Sequence, residues 1–116
     1  MAIDGDGEQT RDFTYVRDVV RANLLAMQCD IADGRAINVG QSSSVSVNWI
    51  ALKIGGPRIY RASRLGDVRH TLADHRLAAQ VLGWKPEVTT DQGLEELIRA
   101  SGHLEGLGID AYQHPR

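Results

Sequence analysis

Apolar positions along this chain fall at two spacings and divide it into short alternating elements. Val16, Val19, Val20, Leu24 and Met27 recur at helical spacing, with Ala22 and Ala26 beside them, and predict a helix over residues 16–28. Arg17, Asp18 and Arg21 lie off that stripe. Just before it, "FTYV" at 13–16 reads as a short strand or strand end. "AINVG" at 36–40 has the unbroken apolar character of a buried strand. Ser46 is placed to cap a helix over 47–54, closed by Gly55, Gly56 and Pro57. "RIYRA" at 58–62 reads as another strand. Leu77, Ala78, Val81 and Leu82 then form a helical face, with Asp74 as its cap and Gly83 as its stop. Thr89 with Gln92 three residues on is a capping-box pattern, and it opens a helix carrying Leu94, Leu97 and Ile98 and reaching toward Leu104. "DIADGRA", "QSSSVS" and "SRLGDVRH" read as turns and loops. The order of strands and helices is that of an α/β or α+β fold, without an internal repeat.

Composition narrows the function classes. The 116 residues are enough for one small domain, and 42% hydrophobic with 24% charged residues describes a globular chain rather than a disordered one. A net charge of -2 builds no positive surface for nucleic acid. No apolar run approaches the roughly 20 residues of a membrane span. The single cysteine, Cys29, allows no internal disulfide; it reads as a buried or half-buried thiol rather than a reactive one, and the expected compartment is the cytoplasm.

Two stretches carry candidate chemistry. "GDGEQTRDF", from Gly5 to Phe13, offers acids and glycines. Counted from Asp4 as a calcium loop, it places Gln9 where glycine is required and Tyr15 where a glutamate is required. As a dinucleotide fingerprint it offers Gly5 and Gly7 but then Thr10. What remains is a tight turn that presents Arg11, whose guanidinium suits either a phosphate or a surface ion pair with Asp12 or Asp18. In "RLGD", Arg64 supplies a forked donor, Gly66 a sharp backbone and Asp67 an acceptor for ribose hydroxyls. An exposed turn with an internal ion pair explains the same residues. His70 and His75 fit no zinc spacing. His103 and His114 read as solvated, Trp84 as a core anchor, and Trp49 as either core or interface. Glu95 and Glu96 are adjacent, so they point apart on a helix and form no catalytic pair.

In their serial order, "GDGEQTRDFTYVRDVVRANLLAM", "INVG", "SVSVNWIA", "RLGDVRHTLAD" and "LGWKPEVTTDQGLEEL" resemble NAD-dependent epimerase/dehydratases. These are extended short-chain dehydrogenases, of which UDP-glucose 4-epimerase is the best-known type. The resemblance runs over about residues 3–98 and covers only the C-terminal part of such an enzyme. It implies a piece of a Rossmann-type fold, with helices packed on a few short strands. Residues 1–104 would form the substrate-binding lobe and 105–116 a polar, fraying tail. By the resemblance, Arg11 contacts the substrate diphosphate and Phe13 lies near the nucleotide. Arg64 and Asp67 hold phosphate and ribose, and Val47 lines the nucleotide pocket. Leu65 stands where the family often has proline, Trp49 where it often has a polar residue, and the helix before Gly55 is shorter than usual.

The family's glycine-rich NAD loop and Tyr-x-x-x-Lys pair have no counterpart in this sequence. Tyr15, Tyr60 and Tyr112 are followed four residues on by Val19, Arg64 and Arg116. The expectation is therefore a lobe that binds a UDP-sugar-like ligand and performs no catalysis by itself, as a gene fragment or half of a split enzyme. NAD is implied only for a full-length relative, with no cofactor or metal in this chain. Strands deprived of neighbours expose edges, which favours a homodimer or a separate NAD-binding chain as partner. The other reading is a stand-alone homodimer that has lost its ligand.

Overall fold

The computed structural model describes residues 1–106 and the side chains of 1–102. It is a small α/β piece. Strand β1 (Ala2–Asp4) pairs in parallel with β4 (Ile59–Arg61), and β2 (Thr10–Asp12) pairs antiparallel with β3 (Ser44–Ser46). Ile3 sits opposite Tyr60, and Arg11 opposite Val45. A bridge from Thr10 to His70 adds the chain after the "RLGD" turn to the other side of β2. The helices are α1 (Val16–Met27), α2 (Val47–Ile54), α3 (Arg76–Leu82) and α4 (Thr90–Gly106). A single 3-10 turn, Asp30–Ala32, follows α1.

Local chemistry accounts for the helix ends. The Ser46 hydroxyl accepts from the Trp49 amide at 3.1 Å, as its capping position requires. Gly83 ends α3 in the left-handed region at φ 64°, which a side-chain-free residue adopts at no steric cost. The capping box forms in both directions: Gln92 N donates to Thr89 Oγ1 at 3.3 Å, and Thr89 N donates to Gln92 Oε1 at 3.0 Å. Thr89→Ala removes one half of it and is expected to cost about 1 kcal/mol, read by urea denaturation.

Three expectations need correction. The strand near 13–16 lies earlier, at Thr10–Asp12, because pairing with Ser44–Ser46 rather than hydrophobic content sets its position. Residues 36–40 are not a strand, since no described segment pairs with them in a ladder. Ile37 and Val39 nevertheless pack on the core. Asp74 does not cap α3; His75 occupies that position, while Asp74 accepts from Arg76 N at 3.0 Å one residue outside. Helix α4 continues to Gly106, past the expected start of the polar tail. The segment 107–116, expected to fray and carrying His114, lies outside the described residues, as do the side chains of His103 and Leu104.

The core is small. Trp84, at 0% exposure, packs with Ala22 and Ala78, and Leu25, Ile37, Val39 and Leu82 close around them. Its Nε1 donates to the Asp18 carbonyl at 2.9 Å, tying the segment after α3 to the first turn of α1. Large apolar side chains remain outside this cluster: Val16, Val20, Leu24 and Met27 run exposed along one side of α1.

Candidate functional site

The loop between β1 and β2 is shaped by its own polar groups. The Asp6 carboxylate takes both Nη atoms of Arg69, at 2.8 and 3.0 Å, and accepts from Glu8 N. The Arg69 guanidinium, then the Glu8 amide, hold this carboxyl below its usual range. Gln9 is buried and donates to the Asp4 carbonyl at 2.8 Å. Asn48 N and Val47 N donate to the carbonyls of Gly7 and Gln9, so the loop is bound to the start of α2. Val47 is thereby brought to the loop's far side.

The "RLGD" segment is a turn. Asp67 N donates to the Arg64 carbonyl at 3.2 Å, with Gly66 at φ 84° in the third position, as a type II turn requires. Arg64 and Asp67 therefore leave the turn from neighbouring points. Together with Val47, Asp4 and Ile3 they line a cleft of about 440 Å³. Asp67 Oδ1 pairs with Arg11 Nη2 at 2.6 Å, and Arg64 Nε pairs with Asp4 Oδ2 at 2.6 Å. Arg11 also donates to the Thr10 carbonyl at 2.8 Å, which fixes the start of its guanidinium against β2.

Of the five residues singled out from the sequence, four meet here: Val47, Arg64 and Asp67 on the cleft wall, and Arg11 through Asp67. Phe13 does not join them. It faces a second, apolar cavity of about 330 Å³ with Tyr15, Ile50, Leu94 and Leu97. The sequence reading passed over Asp4, considered only as the first position of a failed calcium loop. Its pairing partner lies sixty residues away in sequence, so local spacing carried no signal for it.

The remaining polar candidates have structural partners. Asp12 accepts from the amides of Gln41, Ser42 and Ala73, pinning two loops. His70 Nδ1 meets Thr10 Oγ1 at 3.0 Å, and His75 Nδ1 meets Ser42 Oγ at 2.6 Å. Among the described residues, no three His, Cys, Asp or Glu side chains gather as a metal site. Cys29 is half-buried and its thiol donates to the Val81 carbonyl at 3.4 Å. Tyr15 OH donates to Glu96 at 2.5 Å, which raises the tyrosine's pKa; Tyr60 OH donates to Asn48 at 3.0 Å.

The residues present do not fit NAD. A dinucleotide site needs a glycine turn feeding a helix N-terminus. Here Gly5 and Gly7 lead into strand β2, and the side chain of Asn48 fills the space over Gly7, 2.1 Å from where a Cβ would stand.

Comparison with known proteins places this geometry. A family model described as GDP-mannose 4,6 dehydratase matches residues 1–97. A putative UDP-glucose 4-epimerase of Methanocaldococcus jannaschii is 39% identical over 100 residues, covering 81% of this chain and 32% of that protein. The crystal structure of UDP-glucose 4-epimerase with UDP-glucose from Thermotoga maritima superposes with a TM-score of 0.80 at 36% identity, over 90% of this chain and 35% of that one. The UDP-glucuronic acid 4-epimerase of Bacillus cereus, in complex with UDP-glucuronic acid and NAD, superposes with a TM-score of 0.80 at 31% identity, over 89% and 35%. The chain thus spans about a third of the length of the curated relatives it matches. No described helix is long and apolar enough to cross a membrane.

Proposed function

The chain belongs to the NAD-dependent epimerase/dehydratases, and on that footing we propose that it is a lobe binding a nucleoside-diphosphate sugar, not catalytic by itself. The observation that carries this reading is the convergence of three separate segments on one cleft: Val47 and the turn residues Arg64 and Asp67 line it, and Arg11 joins through Asp67. Two guanidiniums suit the charge and fork geometry of a diphosphate, and a carboxylate suits ribose hydroxyls. Hydride transfer in this reading is left to an NAD-binding part that these residues do not form. The exposed apolar side of α1 and the two-stranded sheets support a partner, either a second copy or an NAD-binding chain. The free thiol of Cys29 agrees with a reducing, cytoplasmic setting.

The test is calorimetric titration with UDP-glucose. Binding is expected for the native chain, and Arg11→Ala is expected to weaken it about tenfold, with a circular dichroism spectrum unchanged. A folded native chain that gives no heat at millimolar UDP-glucose would refute the reading. The alternative, a stand-alone homodimer that has lost its ligand, is favoured by one observation: both arginines are already paired with carboxylates. It predicts a dimeric mass by light scattering and no effect of changing Arg11 or Arg64.

A further inference from the structure

We propose that Asp4 is a built-in competitor for the ligand: its carboxylate holds Arg64 across the cleft and sets how strongly an anion must bind to take its place. This rests on the sugar-nucleotide reading of the cleft and adds a residue to it. Asp4 is the last residue of β1, opposite Arg61 in the parallel pair, and its side chain is 26% exposed at the cleft wall. Its backbone carbonyl accepts from the buried Gln9 amide, so the main chain that carries the carboxylate is tied down. Arg64 differs: it is 77% exposed, reaches over from the turn, and makes this pair through Nε at 2.6 Å. One partner is the more enclosed and sits at a strand end; the other stands mostly in solvent.

The charge count gives the pair its consequence. Arg11 and Arg64 are balanced by Asp67 and Asp4, so the cleft as it stands is neutral. Asp67 contacts Arg11 and can keep that contact while accepting from a hydroxyl. Asp4 has no such second use, because a diphosphate drawn to Arg64 meets the Asp4 carboxylate at the same guanidinium. Entry of the anion therefore requires Arg64 to exchange one anionic partner for another, with the displaced carboxylate left close to the new charge. An exposed ion pair of this kind adds little to stability. Its larger effect falls on the ligand, through competition and like-charge repulsion.

The experiment compares the native chain with Asp4→Asn, Arg64→Ala and the double variant by titration with UDP-glucose at two salt concentrations. Each fold is checked by circular dichroism, and Asp4→Ser stands in should Asp4→Asn unfold. Asp4→Asn is expected to bind about three- to fivefold tighter, with a steeper fall of affinity on adding salt. That gain is expected to vanish in the Arg64→Ala background. Binding by the native chain with equal or weaker binding by Asp4→Asn would overturn the role of Asp4 and leave the binding lobe standing. A gain that persists without Arg64 would also overturn it, since Asp4 would then act only as general charge. Absence of binding by every folded variant at millimolar ligand would overturn the lobe reading and this proposal with it.

Discussion

Trp84→Ala is expected to cost about 3–5 kcal/mol, enough to leave much of the protein unfolded at 25 °C. The indole is completely buried in a core whose other buried members are Ala22 and Ala78. Small neighbours cannot rearrange to fill the space of a tryptophan, so the cavity would remain largely open. The change also strips the Asp18 carbonyl of its indole donor. Because the segment after α3 is fastened to α1 through this side chain, its loss loosens both. Urea denaturation followed by circular dichroism measures the loss. Trp84→Phe separates the contributions: it keeps most of the apolar volume, lacks the N–H, and should cost less than half as much.

The second large effect is expected at Asp18, which is 2% exposed and yet charged. Burial pushes its carboxyl up. The amides of Val88 and Glu87, both donating to Oδ2 at 3.0 Å, and the Arg21 guanidinium on Oδ1 at 3.1 Å outweigh that and hold it below its ordinary value. Asp18→Ala would leave those two amides without their acceptor and is expected to cost about 3 kcal/mol. The sign of the pH dependence follows from the lowered folded value. The stabilisation is fully present above the unfolded value of 3.8 and is lost as pH falls below it through the folded value. Acid denaturation of the native chain should therefore show a loss of stability in that range that Asp18→Asn, already neutral, does not show. An identical acid limb in both proteins would mean that the carboxylate contributes nothing.

Asp18 also shows why the sequence was legible only in part. By spacing it lies off the apolar stripe of α1, and it looks like a residue of the solvated face. The structure buries it because Glu87 and Val88 arrive from the far end of the chain with two amides to satisfy. Val16, Val20, Leu24 and Met27, which belong to the apolar stripe itself, are exposed. Helical spacing identifies a face, but it does not say which described element covers it. At the site the contrast is similar. Arg11, Arg64 and Asp67 stand in recognisable motifs, and the turn that joins Arg64 to Asp67 is written in Gly66. The ion pairs that connect Arg11 to Asp67 and Arg64 to Asp4 join segments more than fifty residues apart.

The sequence by itself determined the family, the helices and all of their expected caps but Asp74, because these depend on residues within a few positions of one another. Ser46, Gly83 and the Thr89–Gln92 pair act on their own neighbours, and each does in the structure what its type and place require. The tertiary structure alone decided which polar groups are buried, that 36–40 pairs with no described strand, and that Phe13 turns to an apolar cavity away from the arginines. It also decided that a loop made of acids and glycines ends at a cleft of balanced charge. Hydrogen bonds across the fold and ion pairs between distant segments set these features, and such contacts exist only once the chain has brought their partners together.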